Sequence, residues 1–358
     1  MNRIVIVGAG PTGLALGWLL SKYQVTIVES LPNIGGCHTS MVERNNNKIV
    51  GFSEHGPRVY TDRSKYFRHI LNQMGLSWDK LFTPYKFQIS DIGDFKRFTF
   101  NELKSFAFAW INSTSNKTTS VYDFMIYNNF TKKSQDYVAR LCRTTDGADS
   151  KNYSLWKFLQ LVNQQYLYTL YQPTSPDGLM QAWKAALLKR EVKIITSCTV
   201  SQIHIQPDNV ITIKTNKGVM SADHLILACP PKQVNTILQA SKLSWCLPSL
   251  TNEYLKNNSY NRYISISFIW TTDVLMVNRV WGFPSTKHGL IHVVLSDYWN
   301  TSNTVISTAL TILDDLQDKT EAELCSLALN ELRESYPNIP VPSRSIVDHN
   351  NLTAFIQG

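Results

Sequence analysis

A chain of 358 residues, 43% hydrophobic and 17% charged, is long enough for about two cores. It is too ordinary in composition for a disordered, fibrous or disulfide-stapled protein. The formal net charge of +8 is spread along the chain rather than blocked. Nucleic acid is therefore not expected as a partner, contact with a membrane surface is not indicated, and a basic field suits an anionic small molecule.

The first thirty residues carry the strongest pattern. An apolar run over 4–7 reads as a buried strand and leads into Gly8-Ala9-Gly10-Pro11-Thr12-Gly13. A helical pattern follows over 14–20, then a second apolar run over 25–28 that ends in Glu29. Strand, glycine turn, helix, strand and acid form a dinucleotide-binding βαβ fingerprint. Gly8 permits the sharp turn, Gly10 leaves room for a pyrophosphate, and Gly13 lets the helix pack closely on the sheet. The positive end of the helix, opened by Pro11 and Thr12, faces the phosphates. Glu29 is placed to accept from ribose hydroxyls and to disfavour a 2′-phosphate. Residues 4–20 are nearly all apolar, but the glycine turn makes them a poor membrane span, and the marks of a signal peptide are missing. Six scattered cysteines without CxxC spacing suit a reducing compartment, so the expected location is the cytoplasm.

Past Glu29, the segment Ile34-Gly35-Gly36-Cys37-His38-Thr39-Ser40 resembles the GGR-x-x-[ST] motif of the flavin amine oxidase superfamily. That group includes monoamine and polyamine oxidases, protoporphyrinogen oxidases and phytoene desaturases. The resemblance implies a Rossmann-like domain binding FAD, with the second glycine loop alongside the extended cofactor. Cys37 stands where the motif has Arg, so a cationic contact is lost or passes to His38. Glu54-His55-Gly56-Pro57-Arg58 resembles the E-x-G-P-R segment of protoporphyrinogen oxidases. It implies that Gly56, Pro57 and Arg58 line the flavin ring. Arg58 would then grip a substrate carboxylate, or else pin its own loop.

Residues 60–170 read as a mostly helical insertion. A helix over 66–74 is closed by Gly75, and alternation over 85–100 predicts a small hairpin. Phe106, Phe108, Trp110, Tyr122, Phe124, Tyr127 and Phe130 form the core of a helical subdomain, or some of them wall an apolar substrate cavity. Pro173 to Met180 resembles the family's P-x-G-G-[ML] return to the flavin domain, with Asp177 in place of one glycine. A helix over 181–190 and a strand over 192–196 follow. Cys198 to Ile203 resembles the strand whose valine backbone meets the adenine, a role that falls to Val200. A hairpin over 210–222 leads into Ala222-Asp223-His224-Leu225-Ile226-Leu227-Ala228-Cys229-Pro230-Pro231. This resembles A-D-x-V-I-x-A-x-P-P, a buried parallel strand that two prolines stop and turn outward. Cys229 reads as a small filler.

Beyond 240, strands are expected over 263–270, 281–284 and 291–295, and an amphipathic helix over 318–336 capped by Thr320. Amine oxidases begin the first of these strands with a lysine; here the residues are Asn261-Arg262-Tyr263. The family's last flavin motif is not found before Gly358, which implies either a fragment or a shortened chain with an FAD site open on one side.

The expected fold is α/β: a Rossmann-like FAD-binding domain of parallel sheet and helices, plus a mixed α+β substrate domain. The FAD-binding domain takes 1–59 and 171–240, and the substrate domain takes 60–170 and 241–358. The expected function is an FAD-dependent oxidoreductase moving a hydride from a small, apolar or aromatic substrate to flavin, with reoxidation by oxygen. No catalytic residue and no metal site is assigned. Two alternatives stay open: an inactive, truncated flavoprotein homologue acting as a binding module, and an NAD-dependent dehydrogenase. The Gly35-Gly36 pair and the Ala228–Pro231 segment speak against the second.

Overall fold

The computed structural model describes residues 2–56, 60–61, 64–85, 97–112, 118–165, 169–257, 260–274, 286–299, 301 and 304–353. The chain opens with β1 (Arg3–Val7), α1 (Pro11–Leu19), β2 (Gln24–Val28), β3 (Ser40–Asn45), β4 (Lys48–Glu54) and β5 (Tyr60–Thr61). Next come α2 (Lys65–Gln73), α3 (Trp78–Leu81), β6 (Phe82–Tyr85), α4 (Phe100–Ile111), α5 (Val121–Tyr127), α6 (Lys132–Asp146), α7 (Leu155–Gln165) and β7 (Leu170–Pro173). The middle holds α8 (Gly178–Leu188), β8 (Lys193–Ile195), β9 (Val200–Ile205), β10 (Ile211–Thr215), β11 (Gly218–Ala222), β12 (His224–Leu227) and α9 (Pro231–Ala240). The last part is α10 (Ser249–Asn257), β13 (Tyr260–Trp270), β14 (Ile291–Val294), β15 (Thr304–Ile312), α11 (Glu321–Ser335) and β16 (Arg344–Thr353).

Contacts divide the chain into two units. The first comprises residues 1–40, 64–82 and 173–258, and the second 41–63, 83–172 and 259–358. Residues 41–59 thus make their contacts within the second unit, although the sequence groups them with the flavin half.

In the first unit, a parallel sheet runs in the order β12-β1-β2-β8. The apolar run of β1 is buried because strands pair on both its edges, Val7 meeting Val28 on one side and Leu227 on the other. An antiparallel sheet, β11-β10-β9, follows in sequence. Its Val200, Ile203 and Ile213 share one apolar cluster with Val5, Val7 and Val28. Phe67, Trp78, Phe82 and Trp183 pack into an aromatic group in the same unit.

In the second unit, an antiparallel sheet runs β14-β15-β13-β16. Ile264, Ile266, Phe268 and Trp270 of β13 turn one face towards α11, whose Leu324, Ala328 and Leu332 are buried against them. The alternate residues, Ser265 and Ser267, lie on the opposite face of the strand, and both are buried. Thr320 and Glu323 close a capping box at the start of α11. The helices α4 to α7 form a subdomain around Phe130, Tyr137, Tyr153 and Phe158, with Phe106 and Phe124 packed in.

Several sequence expectations need correction. The hairpin over 85–100 falls largely on 86–96, outside the described residues, and Thr99 caps α4 from Phe100 onward. Its Thr99/Glu102 capping box outweighs the alternation of phenylalanines. Pro230 and Pro231 follow the end of β12 and also start a helix: they occupy the N-cap and first position of α9, where proline's missing N–H costs nothing. Strand β12 is parallel to β1 as expected, but it closes the edge of its sheet and is half-buried rather than buried. Helix α8 begins at Gly178, earlier than the apolar pattern indicates. The expected strand at 281–284 lies outside the described residues.

Candidate functional site

The glycine turn between β1 and α1 is held from three directions. Gly8 adopts φ +108°, donates its N–H to Val28 O at 2.8 Å, and lies against the end of β12. A Cβ there would stand 2.7 Å from Ala228 O. At Gly13 a Cβ would meet Gly8 O at 1.9 Å, so the first turn of α1 rests on the strand end itself. Thr12 is exposed at the head of α1, and in any helix the first-turn amides lack an intrahelical acceptor. Pro11 takes the first helical position.

The second glycine loop lies directly on the first. Gly35 N–H donates to Ala9 O at 2.8 Å. Gly36 adopts φ +55°, and a Cβ on it would come within 3.0 Å of Gly10 Cα. By contrast, a Cβ on Gly10 would meet only Gly36 Cα, at 3.8 Å. The space beside Gly10 is otherwise open, a cradle that glycine leaves and any side chain fills. Met180 borders the same loop, with its Cγ 3.2 Å from the Cβ position of Gly35, and Ser40 Oγ donates to Pro176 O at 2.9 Å. The Pro173–Met180 segment therefore backs the second glycine loop.

Glu29 is buried, and its carboxylate ties the site together. One oxygen accepts from Ala9 N–H at 2.7 Å. The other accepts from Leu31 N–H at 3.0 Å and from Ser30 Oγ at 3.1 Å. A carboxylate offers about four lone-pair positions, so one remains for a hydroxyl of a ribose, and rotation of the Ser30 hydroxyl frees another. Cys198 N–H donates to Glu29 O at 2.7 Å, which brings Val200, two residues on, beside the acid. Val200 opens β9 with its side chain buried.

Of the sequence candidates, Gly8, Gly10, Pro11, Thr12, Gly13, Glu29, Gly35, Gly36 and Val200 all lie in the first unit. Cys37 is exposed in the short helical turn after Gly36, with His38 next to it. Gly56 belongs to the second unit, where a Cβ on it would meet Tyr263 at 3.5 Å and Ser265 at 3.6 Å. Pro57 and Arg58 lie outside the described residues.

Three polar groups were given no role by sequence reading. Asp223, inside a recognised segment but given no role, accepts from Arg3 N–H at 2.8 Å and from the Arg3 guanidinium at 2.7 Å. These bonds hold its carboxyl down at about 2, and they fasten β12 to the start of β1. Glu54 is buried at the end of β4 and accepts from Ser307 Oγ at 2.6 Å. Ser267 Oγ on β13 is buried without a hydrogen-bond partner. Glu54 was visible as the first letter of its motif, but nothing in the sequence marked its partner 253 positions away. Burial pushes the Cys229 thiol up to about 11, which keeps it from acting as a thiolate.

These residues fit FAD at its ADP half: open glycines for the pyrophosphate, an acid with a free position for ribose, and a strand beside it. Comparisons with known proteins point to a flavin. The family model for flavin containing amine oxidoreductases matches residues 11–354. Cyclohexylamine oxidase from Brevibacterium oxydans shares the fold, with TM-score 0.77 and 13% identity over 100% of this chain and 88% of its own. So does a putrescine oxidase bound to putrescine, at TM-score 0.71 and 14% identity over 97% and 84%. A CLA-producing fatty acid isomerase from P. acnes superposes at TM-score 0.68 with 16% identity over 98% and 86%. No curated protein sequence matches the chain at a significant level. The chain belongs to the family of flavin-containing amine oxidoreductases.

Proposed function

We propose that the chain removes a hydride from a small organic substrate and passes it to FAD, which oxygen then reoxidises. The observation that carries this reading is the double glycine cradle, Gly36 set on Gly10 beside the pinned carboxylate of Glu29. A nicotinamide enzyme has no use for the second loop. When bound, FAD would supply the redox chemistry, accepting a hydride and returning electrons to oxygen.

The residues of the chain bind and orient. Gly10 and Gly36 would admit the pyrophosphate, and the first turn of α1, from Pro11 to Gly13, would donate amides and a positive dipole to it. Gly8 and Gly13 shape that turn. Glu29 would accept from ribose, Val200 would meet the adenine through its backbone, and Gly35 with Cys37 would border the cofactor. By the family resemblance, Gly56, Pro57 and Arg58 would line the flavin ring, with Arg58 gripping a substrate carboxylate. Rate in this arrangement comes from orienting the substrate and excluding water rather than from an acid–base pair. At the position of the amine oxidases' lysine, Arg262 is exposed and engages His349 at 3.3 Å. That favours oxidation of a substrate other than a simple amine. The residue groups so assigned correspond to an FAD-binding domain over 1–59 and 171–240 and a substrate domain over 60–170 and 241–358.

Absorbance of the purified protein tests the reading. We expect a bound oxidised flavin that bleaches with a reductant and recovers in air. Gly10→Val places a branched side chain in the cradle and should abolish flavin occupancy. Full occupancy in that variant would refute the pyrophosphate placement, and a flavin that never recovers in air would refute the oxidase chemistry.

A further inference from the structure

The C-terminal ends of α1 and α2 and the turn after α8 border a cleft of about 380 Å³, lined by Trp18, Leu19, Ser21, Lys22, Gln73 and Arg190. All of these residues belong to the first unit. The volume lies within the range of small-molecule sites. The cleft is separate from the cofactor cradle: the glycine turn meets the N-terminal end of α1, and nine helical residues, about 13 Å, lie between the two ends.

Its two cations are held in place without an acid. The Arg190 guanidinium lies over the Trp18 ring, 4.6 Å from its centroid, and the Lys22 ammonium lies 5.0 Å from the centre of the Tyr23 ring. Neither has a carboxylate partner among the described residues, no acid lines the cleft, and Glu191, next to Arg190, is not one of its walls. Nor do the cations serve as helix caps. At the end of α1, Trp18 O accepts from Ser21 N–H and Leu20 O from Tyr23 N–H. At the end of α2, Leu71 O accepts from Leu76 N–H, and at the end of α8, Leu187 O accepts from Val192 N–H. Backbone amides thus take the carbonyls that would otherwise draw a cation.

Stacking decides what Arg190 can hold. A guanidinium laid on an indole keeps its N–H groups in its own plane, away from the ring beneath it. Those donors match the two oxygens of a carboxylate or phosphate. Lys22 adds a second positive charge, and the Ser21 hydroxyl has no hydrogen-bond partner among the described residues. Trp18 and Leu19 form an apolar wall. Leu19 is 54% exposed, so an apolar body placed against it covers surface that otherwise meets water.

We propose that this cleft is a second small-molecule site, for a compound with an apolar body and one carboxylate or phosphate. Arg190 grips the anionic head, Lys22 completes its neutralisation, and the body lies against Trp18 and Leu19. The site does not depend on flavin chemistry.

Isothermal titration calorimetry of the full chain, without FAD and with FAD in excess, tests this. The probes are 2-naphthoate, 2-naphthyl phosphate and the neutral 2-naphthamide. At least one anion should bind, equally well in both conditions, and the neutral probe should bind about tenfold more weakly. The anion that binds more tightly identifies the head group. Arg190→Gln should weaken anion binding about tenfold and Lys22→Gln about threefold. Both side chains are exposed, so each variant should melt with wild type. Wild-type protein that binds neither anion overturns the proposal. So does an Arg190→Gln variant that binds the anions as wild type does. Displacement of the anions by FAD overturns it too, because it places them in the cofactor cradle.

Discussion

Glu29 is the residue on which the cofactor half most depends, and Glu29→Gln separates its two duties. The carboxylate accepts from two backbone amides, Ala9 and Leu31, one on each oxygen. A carboxamide keeps one acceptor oxygen and turns its NH₂ on the other amide, leaving a donor facing a donor. Loss of one hydrogen bond to a charged acceptor costs about 1.5–3 kcal/mol. The first unit holds roughly 145 residues, so its unfolding temperature should fall by about 5–10 °C. That loss belongs to the protein without flavin. The remaining lone pair serves the cofactor, and its removal should weaken FAD binding by about tenfold on top. Differential scanning calorimetry of the flavin-free protein, followed by titration with FAD, reads the two effects separately. A flavin-free variant that melts within about a degree of wild type would refute the account of Glu29 as the tie between the first glycine turn and the segment that follows β2.

Other substitutions probe the surrounding supports. Gly13→Ala sets a methyl 1.9 Å from Gly8 O, so the turn must open, at a cost of about 1–3 kcal/mol, read by thermal melting and by loss of bound flavin. Glu102 provides a pH signature. Burial alone would raise its pKa, but the Thr99 and Thr131 amides and the Ser134 hydroxyl outweigh it and leave the carboxyl below the usual glutamate range. A depressed folded value means that this stabilisation is complete above about pH 4.3 and is lost as pH falls through the folded pKa. Circular dichroism between pH 6 and pH 3 should show helix loss that Glu102→Gln makes less dependent on pH, from a lower starting stability. An unchanged acid profile in that variant would remove Glu102 from the explanation.

The cofactor half was legible because its physics is local. Strand, glycine turn, helix and acid fit within thirty residues, and each glycine answers a contact a few positions away. Gly35-Gly36 was legible through its motif, but that it sits on Gly10 was not, since the approach joins two turns some 25 residues apart. The aromatic run after Phe106 divided in a way no spacing predicted. Phe106, Phe124 and Phe130 are core, while Phe108, Trp110 and Tyr127 are exposed and stand outside that core. Aromatic periodicity tells which residues share a face, and only the packing of neighbouring helices tells whether that face is covered. The partners of Glu54 and Asp223 were hidden for the simpler reason that they lie more than 200 residues away.

The clasp between Arg3 and Asp223 has a consequence for how the protein is made. It joins positions 220 apart. While the ribosome is still working through the insertion, β1 has an open edge, and Gly8 lacks the Ala228 carbonyl that it will rest against. At about 5–20 residues per second, some 10–45 s pass between the first strand leaving the ribosome and its last neighbour arriving. Throughout that interval the nascent chain exposes an apolar strand edge of the kind that chaperones cover. The cradle for the cofactor, though its first strand is made early, is finished only when Ala228 arrives.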